Sequence, residues 1–112
     1  MDEDEFRVFV VGLIVSRDPW RALQVLSEHY GVPAPALRVG MPKGYKGMAG
    51  CYVGKSQTIH VRSRETLYDP RVILHEFYHH LRSVTDAHGG IEKKANEFAE
   101  KFLKAYLRRF RG

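Results

Sequence analysis

The chain has 112 residues, 44% of them apolar and 28% charged, with a formal net charge of +5. Those proportions describe one globular domain over 1–112 and exclude collagen-like, disordered and disulfide-stapled classes. Cys51 is the single cysteine, so no internal disulfide forms, which fits a reducing compartment.

The first apolar run, Phe6 to Val15, is interrupted by Arg7 and Gly12 and has half the length of about 20 residues that a membrane span needs. Asp2, Glu3, Asp4 and Glu5 precede it, where a secretory signal would carry positive charge. The expectation is a cytoplasmic protein without leader or membrane span. Phe6, Phe9, Val10, Leu13 and Ile14 follow helical spacing, and acids suit a helix N-terminus, so this segment reads as a helix. Asp18-Pro19 is a cap followed by proline at the first helical position, and the helix it opens runs to a stop at Gly31. Pro33 and Pro35 lead into an extended piece at Ala36 to Val39.

Gly40 to Gly54 is glycine-rich but matches no phosphate-binding pattern. Ala49 to Val53 and Thr58 to Val61 read as two strands joined by a turn at Gly54 to Gln57, with Ile59 and Val61 on one face and His60 and Arg62 on the other. Asp69-Pro70 repeats the cap-plus-proline signal and predicts a helix from Pro70 to about Val84, broken by Asp86 to Gly90. A last helix spans Ile91 to Phe110, with Ile91, Ala95, Phe98, Ala99, Phe102, Leu103, Tyr106 and Phe110 in its apolar stripe. From Lys93 onward seven Lys or Arg face only Glu97 and Glu100. This reads as the solvated face of a terminal helix, with nucleic acid as the less favoured partner.

His75-Glu76-Phe77-Tyr78-His79 is His-Glu-x-x-His in the middle of a predicted helix. Residues four apart share a helical face, so two imidazoles can grip one Zn²⁺, and Glu76 can reach a water beside it as general base. A catalytic zinc usually takes three protein ligands, and the candidates for the third are Asp86, His88, Glu92 and Glu97. A pattern with Gly three residues after the second His and another His three further on is excluded by Arg82 and Thr85.

Ile91-Glu92-Lys93-Lys94-Ala95-Asn96-Glu97-Phe98-Ala99 resembles the Glu-x-x-Ala-Asp/Asn-x-Phe-Ala segment of gluzincin metallopeptidases. With the motif at 75–79, it makes the chain similar to the very small soluble archaeal minigluzincins over nearly its whole length. The resemblance implies an α+β fold: a small zincin-like domain with a short three-stranded sheet, a backing helix, a zinc-binding helix and a C-terminal ligand helix. It further implies His75, His79 and Glu92 as ligands of one catalytic Zn²⁺, Glu76 as base and Asn96 as a support hydrogen-bonded to a ligating histidine. Ala95 and Ala99 would let the two helices approach closely. The interval from His79 to Glu92 is short for many gluzincins. The rival is His88, because Asp86-Ala87-His88-Gly89 faintly resembles the His-Gly segment of SprT-like proteases.

The implied activity is zinc-dependent endopeptidase action on peptides or unfolded protein, broad in specificity. Latency through a terminal segment is implied as well, with the acidic N-terminus or the carboxyl end at Gly112 giving an oxygen to the metal. The alternatives are a SprT-like, DNA-associated protease and a non-catalytic, zinc-stabilised binding module. An edge strand in the 47–53 region would bind an extended peptide, Cys51 reads as a small buried residue, and His60 and Tyr52 are candidates to steady an oxyanion.

Overall fold

The protein is described here by a computed structural model covering residues 1–86 and 89–111. Helix α1 spans Glu3–Val15. Its start is fixed by a capping box: the Glu5 N–H donates to Asp2 at 2.8 Å and the Asp2 N–H donates to the Glu5 carboxylate at 3.3 Å. Phe6, Val10, Val11 and Ile14 are buried, whereas Phe9 is 38% exposed. The buried arc is thus turned toward Val11 relative to the predicted stripe, because α1 packs against both a second helix and the last one. Helix α2, Pro19–Tyr30, starts where Asp18 accepts from the Arg21 N–H at 3.1 Å. It ends at Gly31, whose φ of +69° is left-handed.

Three short strands follow: β1 at Ala36–Val39, β2 at Gly50–Val53 and β3 at Thr58–Val61. The hairpin of β2 and β3 is antiparallel, with Cys51 opposite His60. β1 pairs parallel to β3 on its other side, giving the order β1-β3-β2. Ile59 and Val61 are fully buried, as the alternation predicts. A 3-10 turn at Glu65–Tyr68, not foreseen from the sequence, leads into helix α3 at Pro70–Asp86. Ser63 prepares that turn, its hydroxyl accepting from the Thr66 N–H at 3.3 Å.

Helix α4 spans Glu92–Phe110, with Ile91 as its cap residue. Ala95 and Ala99 are fully buried against α3, as expected for a close helix pair. The two ends of the predicted stripe, Ile91 and Phe110, are 58% and 68% exposed and add little to the core. Phe77, Phe102, Leu23, Leu26, Ile14 and Ile73 form the centre of one core shared by all four helices and the sheet. The fold is α+β, as expected, with four helices and a three-stranded sheet that packs on α3. Among the described residues no helix is long and apolar enough to cross a membrane.

Gly50 sets how closely β2 approaches α3. A Cβ there would lie 2.7 Å from Val72 Cγ1 and 3.1 Å from the His60 carbonyl oxygen. Val72 is β-branched and on a helix, so it has no free rotamer to yield. Gly50→Ala should cost about 1–3 kcal/mol of unfolding free energy, read by chemical denaturation. A stability equal to the parent's would show that β2 and α3 separate without penalty.

Candidate metal centre

Four residues apart on α3, His75 and His79 share one face and line a cleft of about 600 Å³. Glu92, at the first position of α4, meets them there. His75 Nε2 lies 2.8 Å from one oxygen of its carboxylate and His79 Nε2 lies 2.9 Å from the other. One potential ligand atom from each residue falls within 4.8 Å of the others, so the three form a group that could hold a metal ion.

The remaining hydrogen bonds of the two rings fix their orientation. His75 Nδ1 donates to Asn96 Oδ1 at 2.9 Å, and His79 Nδ1 donates to the Gly89 carbonyl. Both acceptors are carbonyl oxygens, so each Nδ1 carries a hydrogen and each Nε2 is turned toward Glu92. Two imidazole lone pairs and a carboxylate facing one another at these distances repel unless a cation lies between them or the rings are protonated. Nitrogen and oxygen donors of this kind suit a divalent transition metal. Asn96 and Gly89 are the outer partners that would hold the two histidines in the tautomer a metal ion requires.

Gly90 allows the Gly89 contact. Its φ is +72°, and a Cβ on it would lie 2.5 Å from the Tyr78 ring. Gly90 therefore occupies a place beside the Tyr78 ring that a residue with a side chain could not take.

Glu76 borders the group, its carboxylate 4.0 Å from His75 Nε2, and is only 7% exposed. Burial pushes its carboxyl above the usual range. Positive charge on His75 and His79 would pull it back in part, and the Glu92 carboxylate adds to the rise.

The other candidates are placed elsewhere. Asp86 pairs with Arg82 one turn back on α3, and Glu97 faces solvent 3.8 Å from Lys94. His88 and Gly112 lie outside the described residues. Asp4 of the acidic N-terminus pairs with Arg108 at 3.2 Å, sixteen residues along α4 from Glu92, or about 24 Å at 1.5 Å per residue. His60 points away from the cleft and donates to the Gly40 carbonyl at 3.0 Å.

The Tyr52 hydroxyl is committed to His80 Nδ1 at 2.7 Å, while His80 Nε2 donates to the Pro33 carbonyl at 2.7 Å. The Tyr52 hydroxyl is therefore not turned to an oxyanion in this structure, and His60 is not among the residues lining the cleft. The Tyr52–His80–Pro33 chain, which ties β2 to α3 and to the segment after α2, carries no sequence signal beyond a third consecutive-helix histidine at position 80. Burial pushes His80 below the usual imidazole range, the Pro33 carbonyl offsetting part of the fall. Cys51 is buried in the cleft wall; burial and the Glu76 charge both push its thiol upward.

Asn96→Ala should leave the fold intact and weaken metal binding about 10–100-fold, measured by competition with a chromogenic chelator. An unchanged affinity would show that His75 needs no help to keep its ring in place. Tyr52→Phe should cost about 1 kcal/mol in denaturant unfolding by leaving His80 Nδ1 without its donor.

Comparison of the chain with protein-family models, with curated proteins and with solved structures finds no match; what it does has to follow from the chemistry of this group.

Proposed function

We propose that the chain is a zinc metallopeptidase of the minigluzincin kind that hydrolyses peptide bonds with broad sequence tolerance. The observation that carries this reading is the meeting of His75, His79 and Glu92 with a buried Glu76 at their edge. Three protein donors, two imidazoles and a carboxylate, are the set a catalytic zinc site uses, whereas a structural one is closed by four. A zinc ion, when bound, supplies Lewis acidity that polarises a peptide carbonyl and lowers the pKa of a water.

In this reading Glu76 takes the proton from the attacking water and hands it to the leaving amine. Its low exposure favours that double role, because a carboxyl raised above its ordinary range holds the proton long enough to pass it on. Asn96 and the Gly89 carbonyl keep the two rings from turning during the cycle.

The substrate's place follows from the sheet. The Arg62 N–H donates to the Ala49 carbonyl at 2.9 Å, which makes Gly50 and Val61 a non-hydrogen-bonded pair. By alternation, Cys51 and Val53 spend their main-chain groups on β3. Gly50 and Tyr52 turn theirs to the free edge of β2, which borders the cleft. An extended peptide pairs there through its own backbone, so recognition depends little on its side chains.

Zinc content by native mass spectrometry and casein cleavage test the reading together. The parent should carry one zinc and lose activity on chelation; Glu92→Ala should lose the metal. Glu76→Gln should keep the zinc while cleavage falls about 10²–10⁴-fold. Cleavage by Glu76→Gln at the parent's rate, or a parent that takes up no zinc, would overturn the assignment.

A further inference from the structure

Arg71 lines the same cleft but takes no part in holding the metal group. It stands one turn before His75, so Arg71, His75 and His79 share one face of α3. Helix α4 answers at the same spacing: Glu92 lies 2.9 Å from His79, Asn96 lies 2.9 Å from His75, and Glu100 lies 2.9 Å from Arg71. Two antiparallel helices stepping four residues at a time thus build three rungs. Two of them serve the metal group and the third carries a fixed positive charge.

That charge is presented, not buried. The Arg71 side chain is 58% exposed, and an exposed ion pair of this kind adds only about 0–1 kcal/mol to stability. Nη1 donates to Glu100, and among the described residues no other group bonds the guanidinium, so Nε and Nη2 keep free donors. A guanidinium offers two parallel N–H bonds to a second carboxylate while the first holds it in place. Among the described residues lining the cleft, Arg71 is the one Lys or Arg.

We propose that Arg71 is a specificity residue that receives a substrate carboxylate, so that the cleft prefers peptides bearing an acidic side chain or a free C-terminal carboxylate. The spacing follows from the helix. From Arg71 to the midpoint of His75 and His79 is six residues, about 9 Å at 1.5 Å per residue. An extended peptide advances about 3.3 Å per residue, so the carboxylate lies about two to three residues from the bond at the metal group. This inference rests on the peptidase reading and adds a substrate class to it.

Three fluorescein-labelled octapeptides test it: one with Gln at that spacing and a C-terminal amide, one with Glu replacing the Gln, and one with the Gln and a free C-terminal carboxylate. Anisotropy with zinc-loaded Glu76→Gln protein should show one carboxylate peptide binding about tenfold or more tightly than the neutral one, and that arm names the source. Arg71→Gln should make the three equal, and Arg71→Glu should turn the preference to a Lys peptide. Glu100→Gln, which breaks the ion pair and leaves the guanidinium, should keep the preference, which a merely structural rung would not predict.

Equal binding of the three peptides, no binding at all, or a preference that survives Arg71→Gln overturns the inference. Cleavage of the same peptides by the parent reads the underlying function separately. Equal binding with cleavage of all three sinks the inference and leaves the peptidase. A carboxylate preference without cleavage of any supports the carboxylate site and sinks the peptidase.

Discussion

The structure depends on one electrostatic constraint: three polar groups, the imidazoles of His75 and His79 and the carboxylate of Glu92, are brought face to face at the seam of α3 and α4. Such an arrangement opposes folding unless a cation or protonation of the rings resolves it, so the rest of the fold has to supply the rigidity that holds it together. Ala95 and Ala99 do this by letting the helix axes approach, and the aromatic core of Phe77, Phe98 and Phe102 locks that approach from below. Asn96 and Gly89 then fix the two rings, so the donors of the candidate metal group are already directed toward one point.

The sheet plays a second part. Gly50 brings β2 within reach of α3, and the Tyr52–His80–Pro33 chain fastens it there through partly buried hydrogen bonds. The free edge of β2 and the ligand face of α3 therefore border one cleft. Under the proposed function, the edge aligns a peptide and the helix face carries the chemistry. Arg71, on the same face as both histidines, extends that division by adding a charge where the helix face leaves the metal group. The same four-residue step that pairs His79 with Glu92 pairs Arg71 with Glu100.

Much of this was legible in the residues. Asp18-Pro19 and Asp69-Pro70 mark helix starts because their caps and fixed φ act locally, and both helices begin there. Period-two alternation placed Ile59 and Val61 inward. The stripe of α1 was misjudged at Phe9, since which arc of an apolar helix is buried depends on how many neighbours flank it. The parallel pairing of β1 with β3 was not legible either, because β1 carries no pattern that distinguishes one partner strand from another.

By itself the sequence determined the helices, the hairpin, the shared face of His75 and His79, and the candidacy of Glu92 and Asn96. The helices, the hairpin and the shared face follow from local signals and spacing along one element, whereas Glu92 and Asn96 were singled out by the resemblance of the 91–99 segment to gluzincins. Only the tertiary structure decided that Glu92 reaches both imidazoles, that Tyr52 and His60 turn to other partners, and that Arg71 joins the same seam. Each of these is a contact between elements far apart in the chain, set by helix approach and by glycines that permit it, and no local periodicity encodes such distances.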